Sequence, residues 1–286
     1  MPVSDEFHDH GNTLRYTRCG TGSPILFIHN GGASKEIWDA QVDALRVDHQ
    51  VICLDLLGYG ESDIPRTGYL ITDYVDGLER FIDHLGLGPV LVVGNCMGSA
   101  MSLLLADRRP DLFRGLIAIN PLSANTARNG VLGAIMWIPA KLPRLSVAAC
   151  RIVRVPRSFS TMIITAQFGP RHWWRGVRAP SRASIASGAT WTTRGRLAAL
   201  AELFSDISGL RAVDHLVPGS AFPPLVTIWG ASNLGLSPRA GTILNTTLRP
   251  HQSYSIRGAG HLPMIEAPST ITRIIREVAT SVQVRQ

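Results

Sequence analysis

Gly94-Asn95-Cys96-Met97-Gly98 follows the apolar run Pro89–Val93 and precedes the helix-like stretch Ser99–Leu105. A buried strand that ends at G-x-C-x-G and turns at once into a helix predicts a nucleophile elbow. The central residue of such a turn has a strained backbone, and small residues on both sides allow the chain to close tightly around it. The helix that begins there favours negative charge at its N-terminus. The plainer alternative is a glycine-rich turn with a structural cysteine.

Strand-like and helix-like segments alternate along much of the chain. Apolar residues at helical spacing predict one helix over Thr72–Leu87 and another near the C-terminus, at 271–278. Near-continuous apolar strands separated by helices predict an α/β fold, in which helices cover both faces of a mostly parallel central sheet. The predicted strands are Thr13–Cys19, Pro24–Ile28, Gln50–Asp55, Pro89–Val93, Gly115–Asn120, Leu225–Trp229 and Ser253–Arg257.

The segment 122–215 interrupts this alternation and carries the charge of the chain. Residues 121–215 contain thirteen Lys or Arg and three acidic residues, a balance of +10, whereas the remainder has fifteen against eighteen, a balance of −3. Such a surface can attract an anionic partner by long-range steering. An acyl carrier protein, coenzyme A or a carboxylated small molecule fits, and a solvated basic surface is the plainer alternative. The arginines concerned are Arg144, Arg151, Arg154, Arg157, Arg171, Arg175, Arg178 and Arg182.

The bulk composition excludes several classes of protein. The 286 residues, 45% of them hydrophobic, can bury a large core. The polar start predicts no secretion signal, and the lack of an apolar run of about 18 residues predicts no membrane span. Four scattered cysteines argue against a zinc site or a disulfide scaffold, so we expect a cytoplasmic protein. We expect no cofactor, no metal and no nucleic-acid partner, although the isoelectric point is near 9.7.

Four motifs in order resemble the α/β-hydrolase superfamily, and the resemblance covers nearly the whole chain. Beyond the elbow, Ile28-His29-Asn30-Gly31-Gly32 is similar to the family's His-Gly loop. Leu54–Ser62 is similar to its D-x-x-G-x-G-x-S turn, and Gly258–Pro263 to its late G-x-G-H segment. The resemblance implies a capped variant of the α/β-hydrolase fold with a cysteine nucleophile.

The family's domain organisation follows from where the insertion falls. The resemblance implies a core domain formed by 1–121 and 216–286, and a helical cap formed by 122–215. The apolar segment 131–139 is expected to face the pocket or to pack the cap onto the sheet, and alternatively to lie on a membrane surface. An aromatic and basic cluster at 168–174 is of the kind that lines substrate clefts. The expected substrate-binding residues are Asn30, Trp137, Trp173 and Leu262.

The resemblance also implies roles in acyl transfer. Cys96 is expected to attack a carbonyl carbon, while His261 takes the thiol proton and later returns it to the leaving group. The backbone N–H groups of Gly31 and Met97 are expected to form the oxyanion hole. His29 is expected to hold its loop.

The position of the catalytic acid departs from the family. The family pattern W-G-x-x-D reads Trp229-Gly230-Ala231-Ser232-Asn233 here. Some relatives carry the acid after the earlier strand, where this chain reads Ile119-Asn120-Pro121. No carboxylate occurs at residues 112–201 or 215–265. Neither usual position therefore supplies an acid.

Three interpretations remain open from the residues. In the first, Asn233 orients His261 in a Cys-His-Asn triad like that of papain-like proteases, and a resting thiolate–imidazolium pair needs no buried acid. In the second, the pocket and oxyanion hole stabilise an enolate or alkoxide in an elimination, isomerisation or cyclisation without a covalent intermediate. In the third, the protein binds a ligand without catalysis.

The first interpretation predicts an enzyme that acts on small-molecule esters or thioesters as a hydrolase, an acyltransferase or a thioesterase-like cyclase. Cysteine at the elbow resembles polyhydroxyalkanoate synthases, dienelactone hydrolases and some thioesterase domains of peptide and polyketide assembly lines. A role in secondary-metabolite biosynthesis is one expectation of this resemblance.

Overall fold

The computed structural model of the protein describes residues 3–170 and 192–283. These residues contain the strands β1 (Val3–Asp9), β2 (Asn12–Cys19), β3 (Pro24–Ile28), β4 (Gln50–Leu54), β5 (Val90–Asn95), β6 (Phe113–Ile119), β7 (Leu225–Gly230) and β8 (Gln252–Ile256). The eight strands form one sheet in the order β1-β2-β4-β3-β5-β6-β7-β8. Strands β3 to β8 run parallel, whereas β1 pairs antiparallel with β2, and β2 with β4.

The central strands are apolar because both of their sides are covered. Strands β3 to β7 are almost completely buried and are rich in Val, Ile and Leu, as is typical of parallel strands with a helical layer on each face. The predicted α/β fold with a mostly parallel central sheet is confirmed.

The sequence patterns do not predict β1. Of its seven residues only Phe7 is buried, so the strand lacks the alternation of apolar and polar residues by which a half-buried strand is recognised. It joins β2 through a tight turn in which His10 and Gly11 both have positive φ, 48° and 80°. Two consecutive residues with positive φ are typical of a type I′ hairpin.

Helices of the described residues flank the sheet or lie between β6 and β7 in the chain. They are α1 (Asp39–Leu45), α2 (Ile71–Leu85), α3 (Met97–Arg108), α4 (Ala124–Arg128), α5 (Val131–Lys141), α6 (Pro143–Ile152), α7 (Arg157–Ala166), α8 (Arg196–Ser205), α9 (Ile207–His215), α10 (Pro238–Leu248), α11 (Pro263–Glu266) and α12 (Pro268–Gln283).

Two apolar layers hold the flanking helices on the sheet. Consecutive residues of a strand point to opposite faces. In β3, Leu26 therefore packs in the layer that contains Leu78 of α2, whereas Phe27 packs in the layer that contains Ile274 of α12. Because helices cover both faces of the sheet, the loops that follow the parallel strands meet at the carboxyl edge of the sheet.

Helices α4 to α9 belong to the segment 122–215 that was expected to form the cap. Helix α8 packs against α5 and α6, and its buried side chains include Ala199 and Leu203. The division into a core domain and a cap stays a prediction. Some basic residues of the segment lie outside the described residues, namely Arg171, Arg175, Arg178 and Arg182.

Within 3–170 and 192–283, no single helix is both long and apolar enough to cross a membrane. Helices α5 and α6 reach that length and composition only together, and the pair is bent by 107°.

Candidate active site

Cys96 lies between β5 and α3, with a backbone φ of 53° and ψ of −108°. The chain closes tightly around it: a Cβ on Gly94 would lie 2.5 Å from the carbonyl carbon of Gly98, and a Cβ on Gly98 would lie 2.5 Å from the carbonyl oxygen of Ile28. Only glycine fits at either position. The Cys96 amide donates to the Ile119 carbonyl over 2.9 Å, which ties the strained turn to the neighbouring strand.

His261 lies in the loop between β8 and α11, where its imidazole contacts the side chain of Asn233. The imidazole Nδ1 is 3.3 Å from Asn233 Oδ1 and 3.2 Å from Nδ2. The Leu236 amide donates to Oδ1 over 3.1 Å, which identifies that atom as the carbonyl oxygen. The Asn233 amide matches either tautomer of the imidazole, because Nδ2 can donate to Nδ1 and Oδ1 can accept from Nδ1–H. The tautomer that donates from Nδ1–H has the unprotonated Nε2 that a general base requires.

Buried side-chain amides hold the main chain of His261. Its carbonyl oxygen accepts from Asn120 Nδ2 at 3.1 Å and from Asn95 Nδ2 at 3.4 Å, and its amide donates to the Gln167 carbonyl at 2.7 Å. Asn120 also accepts from the Gly230 amide at 2.9 Å. Of the two positions considered for the acid, the structure therefore places Asn233 beside the imidazole, whereas Asn120 holds the backbone.

Glu266 is a half-buried carboxylate that none of the sequence motifs indicates as functional. Its Oε1 accepts from the Gly260 amide at 2.8 Å, and its Oε2 accepts from the Gly169 amide at 2.7 Å. The side chain therefore joins the loop that carries His261 to the segment between β6 and β7. Burial raises the pKa of Glu266. The signal available in the sequence was that Glu266 is the first carboxylate after Asp214.

Burial decides the resting charges of the candidate nucleophile and base. It raises the pKa of the Cys96 thiol to about 12 and lowers the pKa of the His261 imidazole to about 4. Within the described residues, the sulfur makes no hydrogen bond to the imidazole. The directions of both pKa shifts oppose the expected resting thiolate–imidazolium pair. A neutral thiol and a neutral imidazole are favoured, because no carboxylate stabilises an imidazolium here.

The two expected oxyanion-hole residues lie beside Cys96. Met97 is the first residue of α3, where an amide has no intrahelical acceptor. The amide of Gly31 donates to no acceptor among the described residues. A Cβ on Gly31 would lie 3.0 Å from Leu200 Cδ1, so a larger residue would crowd this wall. The His29 imidazole fixes the same loop, because its Nε2 accepts from the Leu56 amide at 3.0 Å.

One cavity of about 380 Å³ brings these groups together. Cys96, His261, Asn30, Gly31 and Met97 all line it. Most of the remaining wall is apolar, and no charged side chain lines the cavity among the described residues. A larger groove of about 720 Å³ lies between α1 and α12, away from these residues. Apolar wall residues include Leu122, Val131, Ile135, Met162, Leu203 and Phe204.

The structure corrects two of the four expected substrate-binding residues. Trp137 is 63% exposed and lines a different groove. It lies two residues beyond Ile135, which faces the cavity, and a helix turns by about 200° over two residues. Leu262 packs in the apolar layer below the sheet, with α1 and α12. Asn30 lines the cavity, and Trp173 lies outside the described residues.

Residues 23–268 match the family model described as alpha/beta hydrolase fold. The chain belongs to the α/β-hydrolase fold family. The matched range contains the elbow, the Asn233 loop and His261, so the family assignment covers the whole candidate site.

Two curated hydrolases match part of the chain. The (E)-2-((N-methylformamido)methylene)succinate hydrolase of Acinetobacter baylyi is 32% identical over 125 residues, which are 43% of this chain and 48% of that protein. The 2-(acetamidomethylene)succinate hydrolase of Mesorhizobium japonicum is 32% identical over 108 residues, 38% of this chain and 39% of that protein. The chain thus spans about half the length of these relatives or less.

Solved structures resemble the chain over its full length. A thermophilic esterase from Thermogutta terrifontis superposes with a TM-score of 0.78 at 22% identity, covering 99% of both chains. The epoxide hydrolase CorEH superposes with a TM-score of 0.78 at 18% identity, covering 97% of this chain and 98% of the other. At these identities the likeness shows the fold.

Replacement of Glu266 by glutamine is expected to weaken the His261 loop. The amide nitrogen of glutamine cannot accept the backbone N–H that one carboxylate oxygen accepts, so we expect the free energy of unfolding to fall by about 1–3 kcal/mol. Urea denaturation measures this loss. The matched control is Glu277→Gln, because Glu277 is exposed and pairs with Arg273 within one helix. Equal stability of the two variants would contradict the bridging role.

The neutral resting thiol predicts slow alkylation of Cys96. A thiol with a pKa of about 12 is thiolate in about one molecule in ten thousand at pH 8. Iodoacetamide should therefore modify Cys96 at least about 100-fold more slowly than free cysteine at pH 8, and the rate should keep rising with pH. Peptide mass spectrometry follows the site, with the half-buried Cys150 as internal comparison. Fast alkylation already at pH 6 would mean that a thiolate–imidazolium pair exists.

Proposed function

We propose that the protein is an acyl-transfer enzyme that acts on a small-molecule ester or thioester through a Cys96 acyl-enzyme. One observation carries the proposal: the thiol, the imidazole and both candidate oxyanion residues line a single cavity. Asn233 contacts Nδ1 of His261, which supports a Cys-His-Asn triad. Nucleophile, base and orienting group in this relation are the pattern of covalent acyl transfer.

The proposed reaction starts from neutral groups. The Cys96 sulfur attacks the substrate carbonyl carbon as Nε2 of His261 takes the thiol proton. The amides of Met97 and Gly31 stabilise the negative oxygen of the tetrahedral intermediate. Collapse of the intermediate breaks the bond to the leaving group, which receives the proton from His261. A thioester on Cys96 remains, and water or another nucleophile then attacks it by the same steps in reverse.

A cysteine nucleophile is chemically compatible with asparagine, instead of aspartate, as the partner of the imidazole. In a serine enzyme, exchange of the triad acid for its amide lowers kcat by about 10,000-fold. A thiol is more acidic than a hydroxyl, so its deprotonation needs a less basic imidazole and a weaker hydrogen-bond partner on that imidazole. Asn233 is 4% exposed, and an amide at this depth avoids the cost of burying a carboxylate.

The cavity wall supports an uncharged, apolar acyl group as substrate. Among the described residues no Lys or Arg side chain faces the cavity, and a buried carboxylate without a cation is costly. Two relatives are named as hydrolases of substituted succinates, which carry two carboxyl groups. We therefore propose a different substrate for this chain. Carrier-bound or coenzyme A-bound acyl groups remain within the proposal, since the basic residues of 122–215 would attract their phosphates.

One observation favours a second function. The sulfur makes no hydrogen bond to the imidazole among the described residues, and burial keeps the thiol protonated. A site of this kind also suits a lyase, isomerase or cyclase in which His261 moves a proton and the oxyanion hole stabilises an enolate. In that reaction Cys96 lines the cavity and forms no bond to the substrate.

Covalent labelling distinguishes the two functions. Incubation with p-nitrophenyl butyrate should add one butyryl group to Cys96, visible as an increase in intact mass, and Cys96→Ala should lose both the adduct and at least about 1,000-fold in kcat/KM. Cys150→Ala is the matched control, because Cys150 lies on α6 and does not line the cavity. Full turnover by Cys96→Ala would instead favour the second function.

A double-mutant cycle tests the pairing of Cys96 with Asn233. We expect Cys96→Ser to lose at least about 1,000-fold in kcat/KM, and Asn233→Asp in that background to recover at least about 10-fold, because a serine needs a charged partner on the imidazole. Asn129→Asp is the matched control, because Asn129 is exposed. No recovery in the double variant would mean that Asn233 does not act through His261.

A further inference from the structure

Helices α5 and α6 expose large apolar side chains. Six of them have between 52% and 74% of their surface exposed, and we call these six the apolar surface: Ile135, Trp137, Ile138, Leu142, Leu145 and Ile152. Single exposed apolar residues are common, but several on one short segment mark an interaction site.

The same segment is positively charged and contains no acidic residue. Lys141, Arg144 and Arg154 are exposed, and no carboxylate occurs anywhere in residues 112–201. Aliphatic and aromatic side chains together with exposed basic residues are the composition of segments that bind anionic lipid surfaces.

The mouth of the Cys96 cavity lies at this surface. Four residues both line the cavity and expose more than half of their own surface: Val131 (58%), Ile135 (53%), Met162 (54%) and Leu234 (55%). Ile135 is also a member of the apolar surface. The apolar surface and the apolar cavity wall therefore share Ile135, and the two meet there.

We propose that α5 and α6 dock on the surface of an anionic phospholipid bilayer. The apolar surface lies at the boundary of headgroups and acyl chains, and the bases lie among the lipid phosphates. The helices have eleven and ten residues and meet at 107°, a shape that fits the plane of the interface. The cavity mouth then faces the lipid, so a substrate with an acyl chain reaches Cys96 from the membrane. This last point rests on the proposed function.

Charge and shape favour lipid over two other occupants. A second copy of the chain would place Lys141 and Arg144 against like charges, which is unfavourable. An acidic carrier protein satisfies the charges, but it leaves many exposed aliphatic side chains to be buried by a polar surface. A bilayer satisfies both. These occupants are separate outcomes of the experiment below.

Vesicle flotation of the full chain tests the docking. With about 30% phosphatidylglycerol in phosphatidylcholine we expect the protein to float with the vesicles, and with phosphatidylcholine alone we expect a partition coefficient at least about 10-fold lower. Ile138→Glu and Leu145→Glu should each lower the coefficient on anionic vesicles at least about 10-fold. The control is Ile243→Glu on α10, which is 56% exposed and distant in sequence. Thermal melts verify that the variants are folded.

The other outcomes overturn the docking. These are absence of flotation, equal binding of neutral and anionic vesicles, and flotation of Ile138→Glu like wild type. Dimers that Ile138→Glu dissociates, without vesicle binding, would assign the surface to a second copy. Binding of an acidic acyl carrier protein without vesicle binding would assign it to that partner. Turnover of a water-soluble ester is measured on the same samples. Flotation without any acyl-enzyme would contradict the proposed function alone, and an acyl-enzyme without flotation would contradict the docking alone.

Discussion

The tight turn at Cys96 is the constraint on which the rest of the site depends. A φ of 53° on a residue with a side chain costs on the order of 1–3 kcal/mol, and the surrounding structure must hold it. Strand β5 and helix α3 do so, because both are buried and because the Cys96 amide donates to the neighbouring strand β6. The turn places the sulfur at the carboxyl edge of the sheet, where the loops after β3, β7 and β8 converge. Gly31, Met97 and His261 are thereby brought into one cavity with Cys96, and Asn233 contacts the imidazole from behind.

A neutral amide occupies in this site the position that the family pattern W-G-x-x-D gives to a carboxylate. Asn233 contacts the imidazole, while Asn95 and Asn120 hold the His261 carbonyl oxygen. No charge then stabilises an imidazolium, and burial lowers the pKa of His261 to about 4. The same burial raises the pKa of Cys96 to about 12. Both shifts favour uncharged side chains at rest, and in the proposed reaction charge separates only when a substrate carbonyl accepts the sulfur.

The parts of the fold that local patterns describe could be predicted from the sequence. The central strands are continuous apolar runs, and the elbow is a contiguous motif, so neither depends on distant residues. Strand β1 was missed because an exposed edge strand carries no apolar pattern. Trp137 belongs to the apolar segment 131–139, which the sequence predicts to face the pocket, yet the phase of α5 turns this side chain outward. The bridging role of Glu266 follows from a contact with Gly169, ninety-seven residues away, which no local pattern contains.

The uncharged site and the apolar cavity have a common physical consequence. Because no charged side chain of the described residues lines the cavity, binding of the proposed substrate comes from burial of apolar surface, at about 25 cal/mol per Å². Burial of an acyl chain also expels water from beside Cys96, and the amides of Met97 and Gly31 then act in a medium of low dielectric constant. An ion pair that is unfavourable in the empty cavity becomes accessible once the developing oxyanion is held. In the proposed reaction the fit of the substrate chain therefore controls the chemistry, because it supplies both the affinity and the water-free surroundings in which a neutral thiol and a neutral imidazole can react.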